Sequence, residues 1–237
     1  MKNDNFYVVV FLGTNGCGKT TLINKLSDGL NISYINLDQI AKQKFSNIEN
    51  YNEKMKHAAE LAMTINGEML KKKQSFITEL TLSNPKDMEF LCRVKNSGAE
   101  LILIFLLTRD VEINITRVKK RIAEGGHEVP EYKIRERYPK CFVAMAPAIE
   151  VSDLCFIYDN SYVYEILLVK REPKKLEVIC DNIEKDEWLI TNIIRPLETN
   201  NQIFLTTNVD VTNAKDLFNK IFTLLSSYIE ELKNRFA

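Results

Sequence analysis

The chain has 237 residues, and its 32 lysines and arginines balance its 32 aspartates and glutamates. This balance excludes a broad basic surface for nucleic acid, and the apolar run near the N-terminus is too short to span a membrane. Five scattered cysteines without Cys-x-x-Cys spacing are typical of free thiols and favour a cytoplasmic protein. The length suits one α/β domain with a small appendage.

The first feature in chain order is a glycine-rich loop between a predicted strand, Phe6–Leu12, and a predicted helix that follows Thr20. The loop, GTNGCGKT, fits the P-loop pattern Gly-x4-Gly-Lys-Ser/Thr, whose backbone amides cradle phosphate groups. Lys19 is expected to reach the β- and γ-phosphates of ATP, and Thr20 is expected to bind Mg²⁺. The predicted nucleotide-binding residues here are Gly13, Thr14, Asn15, Gly16, Cys17, Gly18, Lys19, Thr20 and Thr21.

A second strand is predicted over Ile32–Leu37, followed directly by Asp38. Functional groups gather at the carboxyl ends of strands in an open parallel sheet, so Asp38 is a candidate base for a substrate hydroxyl. An aspartate at this place is equally typical of the cap of a helix that starts at Gln39. The pattern leaves the two interpretations open.

A third strand, Ser75–Leu80, carries Glu79 at its carboxyl end. Glu79 is predicted either to orient the Mg²⁺ shell or to bind a substrate hydroxyl, and Thr81 beside it joins the predicted substrate-binding set. The unbroken apolar run Leu101–Leu107 indicates a strand buried on both faces. Strands that alternate with helices predict an α/β fold, a doubly wound parallel sheet with helices on both faces.

The segment from about 111 to 138 is predicted to form a lid over the nucleotide. Arg117 and Arg121 share one face of a helix predicted over Val111–Glu124. Two glycines at 125 and 126 form a hinge, and a further helix from about Pro130 carries Arg135 and Arg137. Arginines that close over a transferring phosphate neutralise its developing charge. The alternative is an exposed basic surface around a loop.

The C-terminal part completes the sheet and adds an extension. Pro139 and Pro147 are expected to interrupt the helical region, and a strand is predicted over Asp153–Tyr158, with Asn160 near the adenine. Alternating residues predict a β-hairpin at 162–170 and 175–180, and helices are predicted farther on. The predicted organisation is a P-loop core at 1–161 and a hairpin and helical extension at 162–237 that packs on the core.

Six motifs together resemble one family. They are Gly13–Thr20, Asn36–Ile40, Glu79–Ser83, Arg121–Pro130, Ile134–Tyr138 and Tyr158–Ser161. In this order they resemble the zeta-toxin group of P-loop kinases, and more closely its zeta-toxin-like ATPase branch. The resemblance covers about Phe6 to Ser161, and its specific part is Gly-Gly-His-x-Val-Pro followed by Ile-Arg-x-Arg-Tyr.

Zeta toxins phosphorylate the 3′-hydroxyl of the amino sugar in UDP-N-acetylglucosamine, so the resemblance implies a kinase with a sugar-nucleotide substrate and an antitoxin-like partner. It implies that Asp38 is the base, that Glu79 binds substrate, and that Arg117 or Arg121 binds phosphate. Zeta toxins have an arginine before the lid proline, where this chain has His127. His127 is either a cation for the nucleotide phosphates or an anchor that shapes the turn.

The function expected from the sequence is Mg²⁺-dependent transfer of the γ-phosphate of ATP to a hydroxyl of a small molecule. The two carboxylates at neighbouring strand ends and the arginine lid favour it over a nucleotide switch. The alternative is an ATP-binding module or slow ATPase that acts through a protein partner.

Overall fold

The computed structural model describes residues 6–27, 32–126, 128–162, 165–172, 175–178, 186–199 and 204–206. The strands are β1 (Tyr7–Leu12), β2 (Ser33–Ile35), β3 (Phe76–Leu80), β4 (Glu100–Leu107), β5 (Leu154–Asp159), β6 (Glu165–Glu172), β7 (Lys175–Val178) and β8 (Phe204–Thr206). The helices are α1 (Lys19–Ser27), α2 (Leu37–Lys44), α3 (Tyr51–Lys71), α4 (Pro85–Asn96), α5 (Val111–Ala123), α6 (Glu131–Val151), α7 (Glu187–Leu189) and α8 (Arg195–Thr199), with a π-helical turn, Ile190–Ile194, between α7 and α8.

The strands form one sheet in the order β2-β3-β1-β4-β5-β6-β7-β8. The first five strands of that order are all parallel, whereas β6 pairs antiparallel with both β5 and β7. The chain reverses strand order on either side of β1, which puts the loop after β1 at the crevice where ligands bind in such sheets. The prediction of a doubly wound parallel sheet is confirmed.

Two cores lie on opposite faces of the sheet because side chains alternate along each strand. Val8, Val10 and Leu12 of β1 pack into a core with α4, α6 and the helical stretch around α7 and α8. Val9 and Phe11 pack on the other face with α1. All six residues of β1 are buried, as a central parallel strand requires. Of the described helices, none is both long and apolar enough to cross a membrane.

Helix α6 runs through Pro139 and Pro147, so the expectation that these prolines interrupt it is wrong. A proline inside a helix costs about 3 kcal/mol or more. The helix also buries Cys141, Met145 and Ile149 against the sheet, and each large apolar side chain contributes about 1.5–3 kcal/mol. Tertiary packing therefore outweighs local preference along this helix.

Candidate functional site

The phosphate loop, Gly13–Lys19, joins the carboxyl end of β1 to the N-terminus of α1. Gly13 and Gly16 have φ angles of +143° and +84°, in a region that other residues avoid. A Cβ at Gly13 would lie 2.3 Å from the Leu106 carbonyl oxygen, and one at Gly16 would lie 2.4 Å from the Asn114 carbonyl oxygen. Glycine is required at both places because neighbouring backbone passes so close.

Lys19 is 8% exposed, and its Nζ donates to the carbonyl oxygens of Gly13 at 2.7 Å and Thr14 at 3.4 Å. The ammonium group is thus held at the centre of the loop, where backbone amides and the N-terminus of α1 favour anions. This geometry is what a loop that binds the phosphates of ATP needs.

Two asparagines from other parts of the chain form hydrogen bonds to the backbone of the phosphate loop. Asn114 of α5, fully buried, donates from Nδ2 to the Asn15 carbonyl at 2.9 Å. Asn160, after β5, donates from Nδ2 to the Cys17 carbonyl at 2.7 Å. The structure therefore places Asn160 against the loop backbone. Sequence reasoning missed Asn114; its one signal was a polar residue next to Ile115 on the buried face of α5.

A hydroxyl and a carboxylate face each other where β1 and β3 end. Thr20 Oγ1 donates to Glu79 Oε2 at 3.4 Å, and Asn36 Nδ2 donates to Glu79 Oε1 at 3.0 Å. Mg²⁺ in nucleotide sites takes one or two protein oxygens and completes its shell with phosphates and water. Thr20 and Glu79 fit that donor set. The described residues contain no larger group of His, Cys, Asp and Glu that could hold a metal.

Asn36 caps the helix whose first turn contains Asp38. Its Oδ1 accepts the Gln39 amide at 2.8 Å and caps α2, which begins at Leu37. Strand β2 is therefore shorter than predicted, and Asp38 lies in the first turn of a helix that Asn36 caps. Asp38 is not the cap, so one of the two interpretations left open by the sequence is removed.

Tyr34 lies beside the same carboxylate. Its hydroxyl accepts a hydrogen bond from Asn36 Nδ2 at 2.6 Å. Burial, and secondly the charge of Glu79, raise the pKa of Tyr34 well above its usual range. The phenol therefore stays neutral and adds no charge beside Glu79.

A cavity of about 1140 Å³ joins these groups. Residues of the phosphate loop line it together with Asp38, Glu79 and Thr81, and so do Arg117, Arg121 and Arg137 of α5 and α6. Ten lysines and arginines but only four aspartates and glutamates line the cavity, although the whole chain has no net charge. Such a cavity concentrates anions.

The arginines of α5 and α6 differ in what they contact. Arg117 Nη2 donates to the Ser161 carbonyl at 3.0 Å, while its buried Nη1 has no hydrogen-bond partner among the described residues. Arg137 Nη1 donates to Asn15 Oδ1 at 2.8 Å, across to the phosphate loop.

Arg135 is absent from the cavity lining. Glu112 and Glu131 hold its guanidinium on the exposed face where α5 meets α6. The structure therefore brings Arg117, Arg121 and Arg137 to the site and leaves Arg135 outside it. The prediction for His127 lies outside the described residues.

Two buried polar side chains on the far side of the cavity were missed by sequence reasoning. Asn66 of α3 is 5% exposed, and its Oδ1 has no hydrogen-bond partner among the described residues. Asp87 of α4 is 8% exposed, and its Oδ2 accepts the Ser83 amide at 3.0 Å. Burial raises the pKa of Asp87 above its ordinary value. The residue periodicity of α3 and α4 predicts two helices, but it gives no sign that Asn66 and Asp87 line a cavity.

Comparisons with known proteins agree with this geometry. An AAA domain family matches residues 8–137, more than half of the chain. A protein of Haemophilus influenzae (strain Rd), itself uncharacterized, is 32% identical over 130 residues, which cover 55% of this chain and 91% of that protein.

Two solved structures share the fold over almost the whole chain. A chain of the native AvrRxo1-ORF1:-ORF2 complex has a TM-score of 0.60 at 13% identity, covering 95% of this chain and 80% of that one. A chain of the PezAT toxin-antitoxin system of Streptococcus pneumoniae has a TM-score of 0.54 at 15% identity, covering 96% and 87%. These matches confirm, at the level of fold, the resemblance to zeta-toxin-like P-loop kinases.

Proposed function

This chain belongs to the AAA domain family, and we propose that it is a Mg²⁺- and ATP-dependent phosphotransferase of the zeta-toxin-like group. The observation that carries the proposal is one cavity whose lining includes the P-loop, the carboxylates of Asp38 and Glu79, and three arginines of α5 and α6. A nucleotide-binding loop alone would need neither the carboxylates nor a cavity of this size. A kinase needs both, because an acceptor must meet the γ-phosphate in line.

Each residue of the loop side has a role in this proposal. Lys19 and the loop amides bind the β- and γ-phosphates. Thr20 and Glu79 would hold Mg²⁺, which would supply positive charge to the phosphate oxygens. Arg117 is the proposed ligand of the transferring phosphoryl group, because it lines the cavity and its Nη1 has no hydrogen-bond partner among the described residues, and Arg121 and Arg137 add positive charge. Asn160 supports the loop through Cys17.

Asp38 is the proposed base. The acceptor hydroxyl oxygen bonds to the γ-phosphorus as the bond from that phosphorus to the β-phosphate oxygen breaks, and ADP leaves. The hydroxyl proton passes to the Asp38 carboxylate. The role is supported by the cap at Asn36, which leaves Asp38 in the first turn of α2 among the cavity-lining residues.

The proposed acceptor is a small molecule with a hydroxyl group and its own negative charge. The excess of cations around the cavity supports an anionic acceptor over a cationic one. Glu79 and Thr81 are the proposed contacts to its hydroxyls. UDP-N-acetylglucosamine fits this description, and its selection rests on the resemblance to zeta toxins.

A second candidate is an ATP-binding module that acts through an antitoxin-like protein partner. The PezAT and AvrRxo1 structures both come from two-protein systems. Helix α6 also exposes two large apolar side chains, Tyr132 at 62% and Val143 at 81%. Single exposed apolar side chains are common on protein surfaces, so this candidate rests on the two-protein systems.

The test is incubation of the full chain with Mg-ATP and a panel of UDP-N-acetylglucosamine, UDP-glucose and glucose 6-phosphate. Mass spectrometry then detects an added phosphate, and ADP formation is followed in parallel. A phosphorylated product that is absent with Lys19→Ala supports the kinase. Tight ATP binding without product across the panel favours the binding module.

A further inference from the structure

A network of hydrogen bonds connects the C-terminal extension to the lid. Arg109, just after β4, donates from Nε to Asp159 Oδ2 at 2.5 Å. Its two other nitrogens donate to Asp186, from Nη1 to Oδ1 at 3.0 Å and from Nη2 to Oδ2 at 2.6 Å. Asp159 ends β5 and its side chain is 6% exposed, whereas Asp186 caps α7 in the extension. One guanidinium therefore joins the core sheet to the extension.

The network continues through Ser161, which is 5% exposed. Its amide and hydroxyl both donate to Asp159 Oδ1, at 2.8 and 2.5 Å, and its hydroxyl oxygen accepts the Arg109 amide at 2.8 Å. These three hydrogen bonds, one from the backbone amide and two at the hydroxyl, restrain Ser161. The carbonyl of that same residue accepts Arg117 Nη2 at 3.0 Å. Ser161 thus holds one nitrogen of Arg117, a residue that lines the cavity.

Arg109 itself is not a phosphate ligand. Both carboxylates occupy its nitrogens, the Trp188 ring lies 5.3 Å from its guanidinium carbon, and it is absent from the cavity lining. Its charge instead compensates the buried Asp159, which would be costly to leave unpaired. Its hydrogen bond to the Ser161 hydroxyl links it to Arg117, which binds the carbonyl of the same serine.

We infer that Asp186 and Arg109 are positioning residues that set Arg117 for phosphate binding, so that the extension completes the nucleotide site. The inference rests on the nucleotide-binding part of the proposed function and not on transfer. Asp186 keeps two guanidinium nitrogens away from Asp159. Without Asp186 the guanidinium can form a bidentate pair with Asp159 and compete with Ser161 for Oδ1. Ser161 then loses its fixed position, and Arg117 loses its orientation.

The test is a double-mutant cycle on the full chain with the probe Mg-AMP-PNP, measured by calorimetry. Asp186→Ala is expected to weaken binding about 3- to 10-fold when Arg117 is present. In an Arg117→Met background the same change is expected to have no effect, because the arginine it positions is gone. Asp186→Asn keeps one carbonyl oxygen as an acceptor for Arg109 and is expected to fall between wild type and Asp186→Ala.

Asp153→Asn is the matched control. Asp153 precedes the other end of β5, pairs with Lys95 and accepts the Leu101 amide at 2.9 Å, so it is also an ion-paired aspartate that binds backbone. It is expected to lower the melting temperature and leave AMP-PNP affinity unchanged. Two results overturn the inference: unchanged affinity in Asp186→Ala, or the same loss of affinity with and without Arg117. Failure of phosphoryl transfer in the acceptor panel would leave this test intact.

Discussion

Buried asparagines on the two sides of the phosphate loop differ in whether their side chains are fully hydrogen-bonded. On the side of β5 and α5, Asn114 and Asn160 both donate to loop carbonyls. On the side of α3 and α4, the carbonyl oxygen of Asn66 has no partner among the described residues, although the side chain is as buried. A paired polar group rigidifies its surroundings, whereas an unpaired one costs stability. The loop side is held by paired asparagines, whereas the side of α3 and α4 has a buried oxygen without a partner among the described residues.

The largest expected effect is a difference between two variants, Lys19→Ala and Asp38→Asn, in ATP affinity and in phosphoryl transfer. Lys19→Ala should weaken ATP binding and slow transfer, because in the proposed function Lys19 contacts phosphate before and during transfer. Asp38→Asn should keep ATP affinity while transfer falls about 10²-fold or more, because it removes only the base. Affinity is measured by calorimetry and transfer by product formation. Asn36 caps α2, so the change at Asp38 leaves the helix intact, and unimpaired transfer in Asp38→Asn would refute its role.

The rigidity of the loop side can be broken at Gly16. A methyl group there meets the Asn114 carbonyl, and the φ of +84° strains any other residue. We expect Gly16→Ala to weaken ATP binding about 10-fold or more, since such strain costs 1–3 kcal/mol. Gly67→Ala is the control, because Gly67 lies in α3 with no atom within 4 Å of an added Cβ. It should stabilise the helix and leave ATP binding unchanged; equal losses in both variants would contradict the argument.

One substitution made on each side should change stability in opposite directions. Asn114→Leu leaves the Asn15 carbonyl and the Thr108 hydroxyl without their partner, so it should cost about 1–3 kcal/mol. Asn66→Leu removes a buried acceptor without a partner and should gain about 1 kcal/mol, or a rise in Tm of about 2–4 °C. Thermal unfolding of the two variants measures both. A loss of stability in Asn66→Leu would contradict this prediction, because it would indicate that the side-chain oxygen of Asn66 has a hydrogen-bond partner.

The smallest expected effect is the acid dependence of stability. Burial raises the pKa of Asp87, so folding favours its protonated form, and its destabilising contribution disappears as pH falls toward the unfolded value of about 3.9. Burial also acts to raise the pKa of Asp186, but hydrogen bonds from Arg109 and the Leu189 amide outweigh it and lower the pKa. Its stabilising contribution is present above about pH 3.9 and is lost as pH falls further.

Denaturant unfolding of Asp87→Asn and Asp186→Asn between about pH 3 and 7 checks these signs. Relative to wild type, Asp87→Asn should lose its advantage as pH falls, and Asp186→Asn should lose its disadvantage. The same trend in both variants would show that the two carboxylates do not differ as described.

Local sequence predicted the loop side well. The apolar run before Gly13 forms β1, the P-loop pattern joins it to α1, and the parallel sheet follows from the alternation of strands and helices. These features depend on residues next to one another, which a pattern can reveal. The roles assigned to individual residues of the site remain predictions that the experiments above test.

Sequence patterns described contacts between distant elements poorly. Arg135 and Arg137 are two apart and looked equivalent, yet one faces Glu112 and Glu131 and the other faces Asn15. Asn114 was marked only as a polar residue on a buried helix face, and no pattern marked Asn66. The loop residue that Asn114 binds, Asn15, lies 99 positions away along the chain. The expectation that Pro139 and Pro147 interrupt α6 was wrong, because burial of one helix face outweighs the local cost of proline in a helix.

The sequence by itself determined the nucleotide-binding loop, the parallel sheet and the family, because each depends on short stretches with fixed spacing. Only the tertiary structure decided which arginines face the cavity, that Asn36 and not Asp38 caps α2, and that the extension reaches Arg117 through Arg109 and Ser161. The physical reason is that hydrogen bonds between distant residues form only when packing brings their elements together. No pattern along the chain records which elements those will be.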